Sequence, residues 1–170
     1  SEYVAFIDSD DIWKQDKLYK QLEFMIKKNY NFTYTDYQPF KIIKGKFDEF
    51  KIVQSPNYFN FNSFTKNTSI ATSSMIIKRS LIGNIKFSNT KICEDYFFKC
   101  QIIKRNSQAC RLAENLMWYR VRSNSLQSNK IRNLYWIWYI NKNYNKMNFF
   151  KNLLSIFSIS VSSIKRYGFK

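Results

Sequence analysis

YVAFIDSDDIW, running from Tyr3 to Trp13, is the stretch on which the fold turns. Tyr3 to Ile7 reads as a buried strand, and Asp8, Asp10 and Asp11 follow at once. The whole chain of 170 residues has only 12 acids, so three carboxylates at one strand end need a cation or raised pKa values. On a strand, Asp8 and Asp10 project to the same side. There they can share a hard divalent ion whose remaining ligands come from phosphate oxygens. The plain alternative is a turn followed by a helix cap, a role that suits Asp11.

Two other D-x-D chemistries fit poorly. An EF-hand loop needs an oxygen ligand at its fifth position and Gly at its sixth, and those positions hold Ile12 and Trp13. A phosphatase of the haloacid-dehalogenase type continues with Gly or a variable residue and then Thr or Val, where this chain has Asp11 and Ile12.

Composition narrows the chemistry further. With 45% hydrophobic and 19% aromatic residues the chain can bury a core, and its length is that of one ordinary domain. Histidine is absent, which excludes Ser-His and Cys-His catalytic pairs and His-based metal sites. Acid–base chemistry therefore falls to carboxylates. Cys93, Cys100 and Cys110 form no CxxC pair, which suits a reducing compartment. The net charge is +16, and the excess is uneven: from Asn115 onward there are ten Lys or Arg and no Asp or Glu. A segment of that kind prefers an anionic partner.

Hydrophobic periodicity predicts an α/β chain. Strands are expected at Tyr3–Ile7, Phe32–Tyr37 and Ser73–Lys78, with one or two more within Ala109–Val121. Helices are expected at Trp13–Lys28, with Leu18, Leu22, Met25 and Ile26 inward, and at Tyr58–Phe64, Glu94–Arg105, Asn129–Lys146 and Asn148–Arg166. Phe97, Phe98, Gln101 and Ile102 face the body in the third of these. A hairpin is expected over Phe40–Val53 around Lys44-Gly45-Lys46. Glu94 and Asp95 form a second carboxylate cluster, at a helix start where negative charge is also favoured electrostatically.

Taken together, five segments are similar to family 2 glycosyltransferases of the GT-A fold. EYVAFIDSDDIWKQDKLYKQ (Glu2–Gln21) resembles the family's Y-hydrophobic-F-L-D-S-D-D-x-W-x-P-x-K-L-x-x-Q, with Gln15 or Asp16 in place of the Pro. FTYTDY (Phe32–Tyr37) resembles the next family strand, and NTSIATSSMIIKRSLI (Asn67–Ile82) the strand before the acceptor site. ICEDYFFKCQIIKRN (Ile92–Asn106) resembles the helix that carries the E-D motif. LAENLMWYRVRSNSLQSNK (Leu112–Lys130) is similar to the strand and loop that follow, often Y-R-x-x-x-x-S-x-S. Order and spacing agree from Ser1 to about Lys130.

The resemblance implies a partial GT-A, Rossmann-like mixed sheet over residues 1–128, the metal and acceptor half of the domain, followed by a basic helical tail over 129–170. It implies that Asp8 and Asp10 hold Mn²⁺ or Mg²⁺ on the diphosphate of a nucleotide sugar. Asp95 is then the general base, and Glu94 orients the site or contacts the acceptor. Arg120 and Arg122, with Asn124 and Ser125, are expected to close over the phosphates, the alternative being a plain surface loop. The implied reaction is a single inverting displacement onto a glycan or lipid-linked acceptor in cell-surface polysaccharide synthesis. The family's N-terminal nucleotide-binding units have no counterpart before Ser1, so this chain alone is expected to transfer little or no sugar. The Q-x-x-R-W motif of processive synthases is also absent, which favours single additions.

Asn148–Arg166 sets Phe149, Phe150, Leu153, Leu154, Phe157, Val161 and Ile164 on one side of a helix, with Lys151, Asn152, Ser155, Ser158, Ser162 and Lys165 on the other. Its uncharged run is too short to span a bilayer. It is suited either to lie on an anionic membrane surface, placing the protein at the inner face of the cell membrane, or to pack on the body with its serines in water. The competing functional classes are a basic module for RNA or single-stranded DNA and a D-x-D phosphatase. No RNP or zinc-knuckle pattern supports the first, so nucleic acid is not an expected partner.

Overall fold

A computed structural model describes residues 1–106, 108–122 and 129–167. The strands are β1 (Tyr3–Ala5), β2 (Ile12–Trp13), β3 (Phe32–Ile43), β4 (Lys46–Glu49), β5 (Tyr58–Phe59), β6 (Met75–Lys78) and β7 (Ala109–Arg120). The helices are α1 (Lys17–Lys28), α2 (Phe61–Phe64), α3 (Arg79–Ile82), α4 (Glu94–Asn106), α5 (Lys130–Asn143) and α6 (Phe149–Tyr167). A 3₁₀ turn at Thr72–Ser74 leads into β6.

The strands form one mixed sheet in the order β1-β6-β3-β7-β2, with β4 added to β3 and β5 to β7. Its centre is the parallel pair β3–β7, and the other pairings are antiparallel. The first six residues of β3, Phe32 to Tyr37, are all buried, as expected of a central strand covered on both faces. Phe32, Tyr34, Met75 and Ile77 from the sheet pack with Phe98, Ile102 and Ile103 of α4. Ile137, Ile140 and Ile159 of the C-terminal helices join the same cluster. The parallel register breaks at Asp36, whose carboxylate turns to Arg111 with Nε–Oδ1 at 2.7 Å.

The Lys44-Gly45 hairpin forms as expected. Both loop residues have positive φ, +50° and +77°, the geometry that matches the twist of the flanking strands. Several expectations need correction. β1 is only half-buried, because it lies at the edge of the described sheet with one hydrogen-bonded neighbour. Tyr58–Phe64 is a two-residue strand and then a single helical turn, split at Asn60, whose side chain caps the turn through Ser63. Ser73 belongs to the 3₁₀ turn rather than to a strand. Trp13 lies in β2 against Met117 rather than in a helix.

α1 also presents a different face. Leu18 and Ile26 are exposed, whereas Lys17, Gln21 and Met25 are buried. The polar pair is accommodated by hydrogen bonds. Lys17 Nζ donates to Gln21 Oε1 at 2.8 Å, and Gln21 Nε2 donates to Thr33 Oγ1 at 3.1 Å and to the Ser74 carbonyl at 3.0 Å. Lys17 Nζ also lies 4.5 Å from the Trp13 ring centre. The W-x-x-x-K-x-x-x-Q spacing thus fastens α1 to the turn that precedes β6.

Candidate active site

The three aspartates do not lie on a strand. β1 ends at Ala5, and Asp8 to Asp11 form a turn in which Asp11 N donates to the Asp8 carbonyl at 3.1 Å. Strand alternation therefore does not set their directions. Ser73 does much of that work. Its hydroxyl accepts from Asp8 N at 2.9 Å and donates to Asp11 Oδ2 at 2.6 Å, while its carbonyl accepts from Trp13 Nε1 at 2.8 Å. Asp11 Oδ1 accepts from Arg120 N at 2.9 Å. Asp11 is therefore not a helix cap: α1 starts six residues later, and Asp11 instead ties the turn to the end of β7. Burial raises its carboxyl to about 6, against the opposing pull of the Ser73 and Arg120 hydrogen bonds.

Asp8 opens onto a cleft of about 350 Å³ whose walls include Phe6, Thr72, Cys93, Glu94 and Asp95. Residues 87 positions apart in sequence, Asp8 and Asp95, thus share one cavity. The Asp8 carboxyl is raised above its ordinary value, first by burial, then by the charge of Asp95, with Asp10 and Glu94 adding to it and Lys99 opposing.

α4 supplies the second half of the site. Cys93, just before it, has a φ of +61°, a left-handed conformation uncommon for a residue with a side chain. The Cys93 carbonyl accepts the helix's early amide from Phe97 at 3.1 Å. This sharp entry sets Glu94 and Asp95 into the cleft wall. Burial raises the Cys93 thiol to about 12, so it stays neutral. One turn on, Lys99 Nζ lies 2.9 Å from Asp95 Oδ2. Lys99 is buried and also donates to the Ile70 carbonyl at 2.9 Å. Thr72 Oγ1 donates to the same Asp95 oxygen at 3.3 Å. Burial pushes the Asp95 carboxyl up, but the Lys99 charge and hydrogen bond, with Tyr96 N and Thr72, outweigh it and hold the group below its ordinary value. Asp95 is thus kept ionised with one oxygen anchored, a geometry suited to accepting a proton on the other.

Asp10, Arg120 and Arg122 are not among the residues that line the cleft. Asp10 Oδ2 pairs with Arg122 Nε at 2.8 Å. The Arg120 guanidinium lies 5.5 Å from the Phe40 ring centre, and its Nε has no hydrogen-bond partner among the described residues. Asn124 and Ser125 lie outside the described residues. The structure therefore brings Asp8, Glu94 and Asp95 together and joins Asp10 to Arg122. Sequence reasoning missed Lys99, Thr72 and Ser73. The spacing of Asp95 and Lys99 across one helical turn was a readable signal for the first. Nothing local pointed to Ser73.

The residues fit a hard divalent cation in one respect. Asp8 is a partly buried carboxylate whose pKa is raised first by burial and then by negative charge from Asp95, Asp10 and Glu94, with Lys99 opposing. Among the described residues, no group of three or more acidic or sulfur ligands converges on one point. The described residues thus offer one or two carboxylates at a point, the kind of site whose shell is completed by water and substrate phosphates.

Comparison with known proteins agrees with this architecture. The chain is 30% identical over 164 residues to TuaG of Bacillus subtilis, which carries the name of a teichuronic acid biosynthesis glycosyltransferase; the match covers 96% of this chain and 64% of that protein. It is 32% identical over 135 residues to WfgD of Escherichia coli, named a UDP-Glc:α-D-GlcNAc-diphosphoundecaprenol β-1,3-glucosyltransferase, covering 78% of this chain and 51% of that one. The chain thus spans between half and two thirds of the length of these relatives. The crystal structure of S. aureus TarS 1-349 in complex with UDP-GlcNAc superposes with a TM-score of 0.59 at 15% identity, over 100% of this chain and 50% of that one. This establishes the GT-A architecture of the mixed sheet and its helices. Residues 1–86, half of the chain, match the model of glycosyl transferase family 2, and the chain belongs to that family.

Proposed function

We propose that this chain forms the metal and acceptor side of an inverting glycosyltransferase. That enzyme moves a sugar from a nucleotide-diphosphate donor to a glycan or lipid-linked acceptor in cell-surface polysaccharide synthesis. The observation that carries the reading is the pairing, in one cleft, of Asp8 with an Asp95 whose carboxylate is anchored by Lys99 and Thr72.

In this reading Asp95 takes the proton from the acceptor hydroxyl as that oxygen attacks the anomeric carbon. Lys99 keeps Asp95 ionised and fixes one oxygen, leaving the other for the acceptor. Glu94, beside it on the cleft wall, orients the acceptor. Asp8 and Asp10 would hold Mn²⁺ or Mg²⁺, which when bound supplies positive charge to the departing diphosphate. Arg122, paired with Asp10, stands ready to exchange that carboxylate for a phosphate oxygen, a ligand that guanidinium groups bind well. The lipid-linked acceptor is supported by the name of the WfgD relative, and the nucleotide sugar by the ligand in the TarS structure.

The test is release of nucleoside diphosphate from UDP-sugars by this chain joined to a family 2 nucleotide-binding half, with polyprenyl-diphosphate-linked GlcNAc as acceptor. Release is expected to require both acceptor and Mn²⁺ or Mg²⁺, and to fall about 10²-fold or more in Asp8→Asn and Asp10→Asn. Release with no dependence on the acceptor would contradict the reading.

A further inference from the structure

α6 is amphipathic, but the side it turns inward is the polar one. Asn152 and Ser155 are 1% and 0% exposed. Asn152 Nδ2 donates to the Trp138 carbonyl at 3.0 Å, Asn141 Nδ2 donates to Ser155 Oγ at 3.1 Å, and Ser155 Oγ donates to the Thr65 carbonyl. Among the described side chains of this helix, Ile159 is the one apolar group buried in the core. The opposite face carries Phe149, Phe150, Leu153, Leu154 and Phe157, all exposed, with Phe150 at 80% and Phe157 at 67%. Phe149 also stacks edge-on against Trp138 of α5 at 5.6 Å, which extends the apolar strip across both helices. Contiguous apolar surface of this kind is rare on soluble monomers and marks a docking site.

The border of the strip identifies the occupant. Lys142 and Lys146 precede α6, Lys151 and Lys165 lie on it, all four are exposed, and no Asp or Glu occurs after Glu114. Lys66 and Lys151 flank a groove of about 160 Å³ that opens beside Leu154 and Met147. A second copy of the chain would set this basic border against itself, with no acid in the segment to neutralise it. No helix among the described residues is long and apolar enough to cross a membrane. A helix with a wide apolar face, a lysine border and exposed tyrosines nearby at Tyr135 and Tyr139 matches the chemistry of a bilayer interface.

We propose that the outer face of α6 seats this protein on an anionic lipid bilayer. Phe150, Leu153, Leu154 and Phe157 enter the boundary between headgroups and acyl chains, and Lys142, Lys146, Lys151 and Lys165 meet lipid phosphates. The inference rests on α6 and its border alone and stands independently of the transferase reading.

Vesicle flotation of the protein tests it. Vesicles of phosphatidylcholine with phosphatidylglycerol are expected to carry the protein, and vesicles of phosphatidylcholine alone are not. Binding should weaken as salt rises. The pair Phe150→Asp and Phe157→Asp should lower partitioning about tenfold or more. The pair Lys146→Glu and Lys151→Glu should remove the preference for anionic vesicles. Because these four side chains face outward, circular dichroism and thermal melting of the variants should match the parent. Equal partitioning to both vesicle types, no flotation, or binding that ignores the Asp pair would overturn the proposal. So would a dimer in sedimentation velocity that the Asp pair dissolves, since the strip would then be a self-association surface.

Discussion

Lys99 Nζ sits 2.9 Å from Asp95 Oδ2, one helical turn away on α4, and only 3% of Lys99 is exposed. The lysine is held in place by the Ile70 carbonyl, so it cannot turn away to solvent without losing a buried hydrogen bond. Its charge keeps Asp95 below its ordinary value in spite of burial. Lys99→Met removes the main lowering influence and leaves only the Tyr96 N and Thr72 hydrogen bonds to oppose burial. The acid limb of the pH–rate profile of sugar transfer is then expected to move to higher pH. Measuring kcat against pH for parent and variant checks this, and a limb that stays in place would show that Lys99 does not tune the base.

Asp11 carries a different pH signature. Its folded pKa is raised from 3.8 to about 6, so the folded state holds a proton that the unfolded chain releases over that window. Stability from this group is therefore present below pH 3.8 and is lost as pH rises to about 6, flat beyond. A shift of about two units corresponds to roughly 3 kcal/mol at most. Asp11→Asn keeps an acceptor for Arg120 N and removes the charge. Urea denaturation should show the variant gaining on the parent between pH 4 and pH 7, by about 1–3 kcal/mol. A difference that is constant with pH would contradict the assignment.

Asp36 and Arg111 form a buried, two-pronged ion pair across the central parallel strands, with the second contact, Nη2 to Oδ2, at 2.5 Å. Asp36 also accepts from Ser55 N at 3.2 Å. Arg111→Ala should destabilise the fold by about 3–5 kcal/mol, because it strands a buried carboxylate. Replacing both partners, Asp36→Leu with Arg111→Met, should cost clearly less than the sum of the two single changes. Chemical denaturation of the four proteins in this cycle reads the coupling directly.

The parts of this protein that were legible in its sequence are those where chemistry is concentrated. Asp8 and Glu94-Asp95 could be found because acids are scarce in the chain and cluster at two element ends. The Lys44-Gly45 hairpin was legible from its glycine. Orientation was not. The 3.6-residue period located apolar stripes on α1 and α6, but it does not say which side of a helix meets the body. On α1 the inward side holds Lys17 and Gln21, and on α6 it holds Asn152 and Ser155. Those residues are tolerated inside because partners far away in sequence, Thr33, Ser74, Trp138 and Thr65, complete their hydrogen bonds. Ser73 was hidden for the same reason: it matters through contacts 60 or more residues distant.

Asp95→Asn most directly tests the proposal that Asp95 is the base. Asn preserves size and can still accept from Lys99 and Thr72, but it cannot take a proton. Sugar transfer by the variant is expected to drop about 10²–10⁴-fold, the usual contribution of a positioned base, while titration shows Mn²⁺-dependent binding of the nucleotide sugar unchanged. Transfer at the parent rate with intact donor binding would show that another group accepts the acceptor's proton.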